Sequence, residues 1–330
     1  MSPTVDPRII PWSYRGSYLC LATRSGQNGR LTTGHDVCVV SHRHAAGLPL
    51  FAIRPALGAR DSSPPAGFPT TPSPAQFTAK PSRLQWDVDG ETVAEATFED
   101  VRTIRFRGTV PLSFDTQGSL AVDPWRCWLW RVPPTRDGAQ MVEFTATPNT
   151  NLRFIVTRGS IRLENDAPYD FNFKDNNRRL TVSASEGDTT WEMRVMERDS
   201  EPGDDPNDIR PRSFDQCAED VHAAFEAYAK GMCPWRDPTD ADRLAAYVLW
   251  TSTVRPAGFL ASEAVLMSKL WMNKARLHAY HSWTGLTRSC GPGTTASMAS
   301  RSCGTTSNWR SDRFYCPSRT SPRKAASRTR

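Results

Sequence analysis

The stretch Arg83-Leu84-Gln85-Trp86-Asp87-Val88-Asp89-Gly90, followed by residues 92–98, decides the fold. Leu84, Trp86 and Val88 alternate with Arg83, Gln85 and Asp87, the period of a strand with one face buried. Asp89-Gly90 is a two-residue hairpin signal, because both positions tolerate positive φ. The same grammar recurs on either side. Ile104 and Phe106 alternate with Arg105 and Arg107; Leu152, Phe154 and Val156 form another run, and Arg158-Gly159 turns the chain into Ile161 and Leu163. Leu180, Val182 and Ala184 alternate, as do Trp191, Met193 and Val195. Many short period-2 segments separated by turn residues predict an antiparallel β-sandwich over residues 8–197.

After residue 197 the pattern changes. Residues 198–212 are charged and contain Pro202, Pro206 and Pro211, which reads as a linker. Ser213 with Gln216 then forms a helix-start signal, and Phe214, Cys217, Val221, Phe225 and Tyr228 recur at helical spacing, with Gly231 suited to the stop. A second helix is expected from near Thr239, with Asp240 and Asp242 in its first turn and Leu244, Tyr247, Val248, Thr251 and Val254 as its buried stripe. Strands first and helices after imply two domains rather than an alternating α/β fold. The Pro/Ser/Thr-rich stretch from Pro64 to Pro81 is expected to be a long surface loop.

The chain has 330 residues, 38% hydrophobic, with 11 Trp and 14 Phe, so a large core is available. No apolar run reaches the ~18 residues of a membrane span, and residues 1–10 show no secretory pattern. The eight Cys form no CxxC pair; Cys20, Cys38, Cys127 and Cys217 sit in apolar patterns and read as buried thiols of a reducing, cytoplasmic protein. The net charge of +6 is unevenly placed. Residues 275–330 hold ten Lys and Arg against the single acid Asp312, a charge of +9, while the remainder, with 31 basic and 34 acidic residues, carries −3. That imbalance, with unpatterned aromatics in the tail, argues against nucleic-acid binding.

The segment Tyr247-Val-Leu-Trp250-Thr-Ser-Thr-Val254-Arg-Pro-Ala-Gly258-Phe-Leu, with Ala264-Val-Leu-Met267-Ser268-Lys269-Leu-Trp271-Met-Asn273-Lys274, resembles the opening of the (α/α)6 catalytic barrel in family-63-type glycoside hydrolases. That group includes α-glucosidases, mannosylglycerate hydrolases and amylo-α-1,6-glucosidase-like enzymes. Ile10-Pro11-Trp12-Ser13-Tyr14-Arg15-Gly16-Ser17-Tyr18-Leu19 is similar to the start of their sandwich domain. The resemblance covers residues 8–274. It implies a sandwich followed by the first helices of a truncated barrel (213–274), and hydrolysis of α-glycosidic bonds in an oligosaccharide or small glycoside with inversion. Inversion needs two carboxyl groups about 6.5–9.5 Å apart. In the family the general acid is an Asp in a Trp-x-Trp-Asp segment directly after the position matching Lys274. Here Ala275-Arg-Leu-His278 follows, with no Asp near it. Residues 275–330 hold 18 Ser and Thr and no hydrophobic period, as expected of a disordered tail or of translation out of frame. No catalytic residue is therefore assigned, and the chain as it stands is expected to be inactive.

Substrate-binding candidates are Trp250, Ser268, Lys269, Trp271 and Asn273. Trp250 and Trp271 could stack on sugar rings or belong to the helical core, and Lys269 could meet a sugar hydroxyl or stand in solvent. Trp128 and Trp130, flanked by Trp125, Arg126 and Arg131, share a strand face and are expected in the core or a domain interface rather than on a sugar platform. His42 and His44 are expected in a surface turn, since two His without a third ligand do not make a metal site. The acid pairs Asp87/Asp89 and Glu99/Asp100 are expected to be solvated. No cofactor or metal is expected. The competing reading is a non-catalytic carbohydrate-binding sandwich.

Overall fold

The computed structural model describes residues 2–7, 9–23, 37–42, 49–56, 76–115, 128–147, 150–164, 179–198, 212–257 and 260–266. Two antiparallel sheets face each other. One orders β1 (Trp12–Ser13), β2 (Leu19–Thr23), β3 (Val37–Ser41), β4 (Pro49–Pro55), β9 (Leu112–Asp115), β14 (Arg179–Ser183) and β13 (Ser160–Glu164). The other orders β10 (Trp128–Val132), β11 (Gln140–Thr147), β12 (Thr150–Arg158), β15 (Trp191–Arg198), β8 (Thr103–Gly108), β7 (Glu91–Phe98), β6 (Arg83–Val88) and β5 (Gln76–Lys80). The expected sandwich is present.

Period-2 alternation builds the core. Leu84, Trp86, Ile104, Phe106, Phe154, Trp191, Met193 and Val195 are all at most 1% exposed and project between the sheets. Edge-on aromatic contacts weld the two layers: Phe51 of β4 lies 4.4 Å from Phe144 of β11, and Phe114 of β9 lies 5.4 Å from Phe106 of β8 and 5.5 Å from Phe154 of β12. The Asp89-Gly90 turn has φ of 52° and 85°, as two-residue hairpins require.

The turn at Gly159 is not a hairpin turn. β12 and β13 belong to different sheets, so the chain crosses the sandwich there. Gly159 has φ 100°, and a Cβ on it would sit 2.3 Å from the Ser183 carbonyl oxygen and 2.8 Å from Trp191 Cβ. Only glycine fits this crossing.

Several expectations change. Within the stretch read as a loop up to Pro81, residues 76–80 form β5, because Phe77 and Ala79 pair with Trp86 and Leu84; residues 57–75 lie outside the described residues. On β10 it is Leu129, 5% exposed, that turns inward, so Trp130 faces out and is 38% exposed. His42 is 7% exposed rather than in an open turn, with Nε2 3.7 Å from Cys20 Sγ; His44, Trp125 and Cys127 lie outside the described residues. Glu99 is not solvated. It accepts from Arg105 Nε at 3.2 Å and forms an ion pair with Arg194, whose Nε lies 2.8 Å away, and both arginines are 3% exposed.

Helix α1 (Phe214–Met232) starts where its cap predicts. Ser213 Oγ accepts from Gln216 N at 3.1 Å, and Phe214, Cys217, Val221 and Phe225 are buried. The helix runs through Gly231 to the Cys233 cap instead of stopping at the glycine. It lies on the outer face of the eight-stranded sheet, where Arg105 and Arg107 point. Arg107 Nη1 pairs with Asp215 at 2.7 Å and its guanidinium covers the Phe214 ring at 4.1 Å, while Arg105 donates to the Arg212 carbonyl.

Helix α2 (Asp240–Ser252) begins with a reciprocal capping box between Thr239 and Asp242. Its buried residues are Ala246, Tyr247, Trp250 and Thr251. Leu244 and Val248, expected in the buried stripe, are 40% and 39% exposed, and Val254 lies beyond the helix in β16 (Thr253–Val254), which pairs with β17 (Ala264–Val265). The helix is turned about its axis relative to that expectation because its contacts are with β1 and α1.

Candidate functional site

The two segments that carry the family resemblance, residues 10–19 and 247–260, touch although more than two hundred residues separate them. α2 supplies the first contacts. Thr251 Oγ1 donates to the Pro11 carbonyl at 2.8 Å, and the Tyr247 hydroxyl accepts from Ser13 N–H at 3.3 Å. The backbone beyond the helix supplies the rest. Gly16 N–H donates to Thr253 O at 2.9 Å, Arg255 N–H donates to Gly16 O at 3.0 Å, and Tyr18 Oη donates to Arg255 O at 2.8 Å. Gly16 has φ 86°, which lets the chain turn there to meet this strap.

An aromatic box forms at the junction. Trp250 lies 5.1 Å from Tyr14, 5.6 Å from Phe225 and 5.3 Å from Tyr228, each contact edge-on. Trp250 is 3% exposed, and its indole N–H has no hydrogen-bond acceptor among the described residues. Tyr14 and Tyr228 are half-buried, and burial pushes both hydroxyls above the usual tyrosine range. At the rim Arg15 lies over the Tyr228 ring at 5.2 Å and pairs with Glu263 at 2.6 Å. Deeper, burial raises the Tyr247 hydroxyl still further, opposed by its hydrogen bond from Ser13.

A second polar node closes the end of the sandwich. Glu197, 1% exposed, accepts from Ser41 Oγ at 2.5 Å and lies 3.6 Å from Arg255 Nη2. Arg255 also covers the Tyr18 ring at 5.2 Å and donates to Val101 O. One arginine thus ties the strap to both sheets.

Of the sequence-derived candidates, Trp250 is placed within this box, and Ser268, Lys269, Trp271 and Asn273 lie outside the described residues, as do residues 275–330. Arg15, Tyr228 and Glu263 join Trp250 here; helical spacing marks Tyr228, no periodicity marks Arg15 or Glu263, and for Arg15 its place beside Tyr14 in the resembling opening segment was the available signal. Trp250 is packed against Tyr14, Phe225 and Tyr228 and 3% exposed, and the one carboxylate at the rim, Glu263, is paired with Arg15, so the box is not an acid/base pair. Among the described residues no group of three or more His, Cys, Asp or Glu could hold a metal, and no helix is long and apolar enough to cross a membrane.

Fold and junction together define a two-sheet antiparallel sandwich carrying a helical hairpin on its opening segment. No family model and no curated protein matches the chain. Among solved structures it is similar to a GH92-family glycosyl hydrolase, ccman5, with 12% identity and a TM-score of 0.44 over 81% of this chain. The chain spans 43% of that protein's length.

Proposed function

We propose that this chain is the N-terminal part of a glycoside hydrolase that cleaves α-glycosidic bonds with inversion, its sandwich at residues 8–197 leading through the 198–212 linker into barrel helices at 213–274. The substrate is an oligosaccharide or small glycoside, and Trp250, Ser268, Lys269, Trp271 and Asn273 contribute to its binding. The observation that carries this reading is the contact between the two resembling segments, Pro11 to Thr251 and Gly16 to Thr253 and Arg255. A free-standing binding module has no use for such a hairpin, whereas a barrel needs its first helices anchored. The cytoplasmic location read from the cysteine pattern, with Cys20, Cys38, Cys217 and Cys233 all buried, belongs to the same proposal.

In this proposal the reading frame changes near Lys274, so the chain lacks its general acid and base. Sequencing the coding DNA across codons 260–300 and translating all three frames tests it. Another frame should continue with an aromatic-rich segment bearing an Asp soon after Lys274. The protein read in that frame should release an inverted sugar from an α-glucoside or mannosylglycerate, while the present chain should show no turnover above a heat-killed control. Sound DNA with both other frames closed by stops would sink the reading.

A further inference from the structure

The outer face of the eight-stranded sheet carries a cluster that runs from its β10 edge across β11 and β12 to β15. Trp130 stands directly opposite Glu143 on β11, and Glu143 opposite Arg153 on β12. Trp130 is 38% exposed, an indole face offered to solvent. Glu143 Oε1 accepts from Arg153 Nε at 3.0 Å and from its Nη2, and also from Arg198 Nη1 at 2.6 Å, which reaches across β12 from β15. Beside them Thr145 Oγ1 donates to Asn151 Oδ1 at 2.8 Å.

The chemistry of this cluster is unbalanced. Among the described residues one carboxylate serves two guanidiniums, which leaves one positive charge in excess. Arg153 is 7% exposed, and its Nη1, like Nε of Arg198, is buried with no hydrogen-bond partner among the described residues. Donors held out of water without acceptors are destabilising, so a cluster serving the sheet alone would match them. Those buried atoms are closed to solvent, so an anionic group placed beside the exposed indole would meet the exposed part of Arg198 and offset the excess charge through charge-assisted bonds. The indole gives the apolar face of a pyranose a flat surface, and the rigid sheet holds ring and charge in register.

We propose that Trp130, Glu143, Arg153 and Arg198 form a binding platform for a uronate-bearing oligosaccharide. The sugar ring lies on Trp130 and its carboxylate engages the guanidiniums gathered on Glu143, through the partly exposed Arg198 first. This site is independent of the hydrolase reading. An unbroken reading frame past Lys274 would remove that reading and leave this one intact.

The test is calorimetric titration of the full chain with trigalacturonate at physiological salt, against maltotriose. Trigalacturonate should bind, and Trp130→Ala and Arg198→Ala should each weaken it by about tenfold or more. Trp130→Phe should retain most of the affinity, and Trp235→Ala, an exposed indole between the helices, should bind as the parent does. Circular dichroism of each variant checks folding, since Trp130 is exposed and the Arg198 side chain 32% so. Three results would overturn the proposal: no binding of trigalacturonate, maltotriose binding as tightly and with the same dependence on Trp130, or Trp130→Ala binding undiminished. The last is the outcome if the basic residues of 275–330 simply collect the anion.

Discussion

Replacing Phe225 by alanine tests whether the helical hairpin is an integral part of the sandwich. Phe225 is fully buried, with its ring 5.8 Å from Tyr247 and 5.6 Å from Trp250. It is the side chain through which α1 holds the face of α2 that meets Pro11 and Ser13. Truncating a buried Phe costs about 3–5 kcal/mol, and losing its edge-on contacts falls within that sum. Domains are stable by only ~5–15 kcal/mol, so the loss is large. α1 keeps other ties to the sheet, the buried Phe214, Cys217 and Val221 and the ion pairs of the exposed Asp215, the latter contributing little each. Phe225→Ala should therefore loosen α2 and the face of α1 that meets it before the sandwich melts. Urea unfolding followed by Trp fluorescence, with hydrogen exchange read separately over residues 214–252 and over β12 and β15, resolves the two steps. Protection should fall in the helices and hold in the strands. A loss under ~1 kcal/mol with unchanged helix protection would refute the reasoning, because it would mean that Phe225 is not the tie.

Other consequences follow from the same packing. Leu244→Gln with Val248→Gln should leave stability within ~0.5 kcal/mol and reduce self-association on size exclusion, since both side chains stand in solvent and form an apolar strip; a large stability loss would show that the strip is covered. Gly159→Ala should cost several kcal/mol, on the order of 3 or more, from positive φ and backbone overlap with Ser183, and a thermal midpoint close to the parent's would contradict the crossing geometry. Asp215 is held below the usual carboxylate range, chiefly by its hydrogen bond from Arg107. A depressed folded pKa stabilises above the unfolded value and loses that stabilisation as pH falls through the folded one. Asp215→Asn should therefore cost under ~1 kcal/mol near neutral pH, discounted for exposure, and the two urea midpoints should converge in acid; a constant gap would mean that charge is not the cause.

Much of the fold is local and was legible. Leu84-Trp86 and Ile104-Phe106 show strand period because alternate side chains must leave water. Asp89-Gly90 marks a hairpin because its backbone needs positive φ, and Ser213 and Thr239 mark helix starts because orphan N–H groups need acceptors. The charged run after Arg198 separates strands from helices by composition alone.

Tertiary structure decided what alternation leaves open. Period 2 shows that Trp128 and Trp130 share a face, but not which face is inside; Leu129 took the core, and Trp130 went to the surface beside Glu143. Gly159 reads as a turn in either case, and only the placement of Ser183 and Trp191 makes it a crossing between sheets. Around α2 apolar side chains occur on more than one face, so the partners, Pro11 and Ser13 on one side and Phe225 on the other, chose Tyr247, Trp250 and Thr251 over Leu244 and Val248. Charged residues hid most. Arg105, Glu99 and Glu197 look solvated as letters, and their burial depends on partners brought from distant strands. The sequence by itself determined which residues alternate, turn and cap, because those are properties of neighbours along the chain. Which face is inside, and which charges meet, only the folded chain decided, because burial is a relation between segments far apart in sequence.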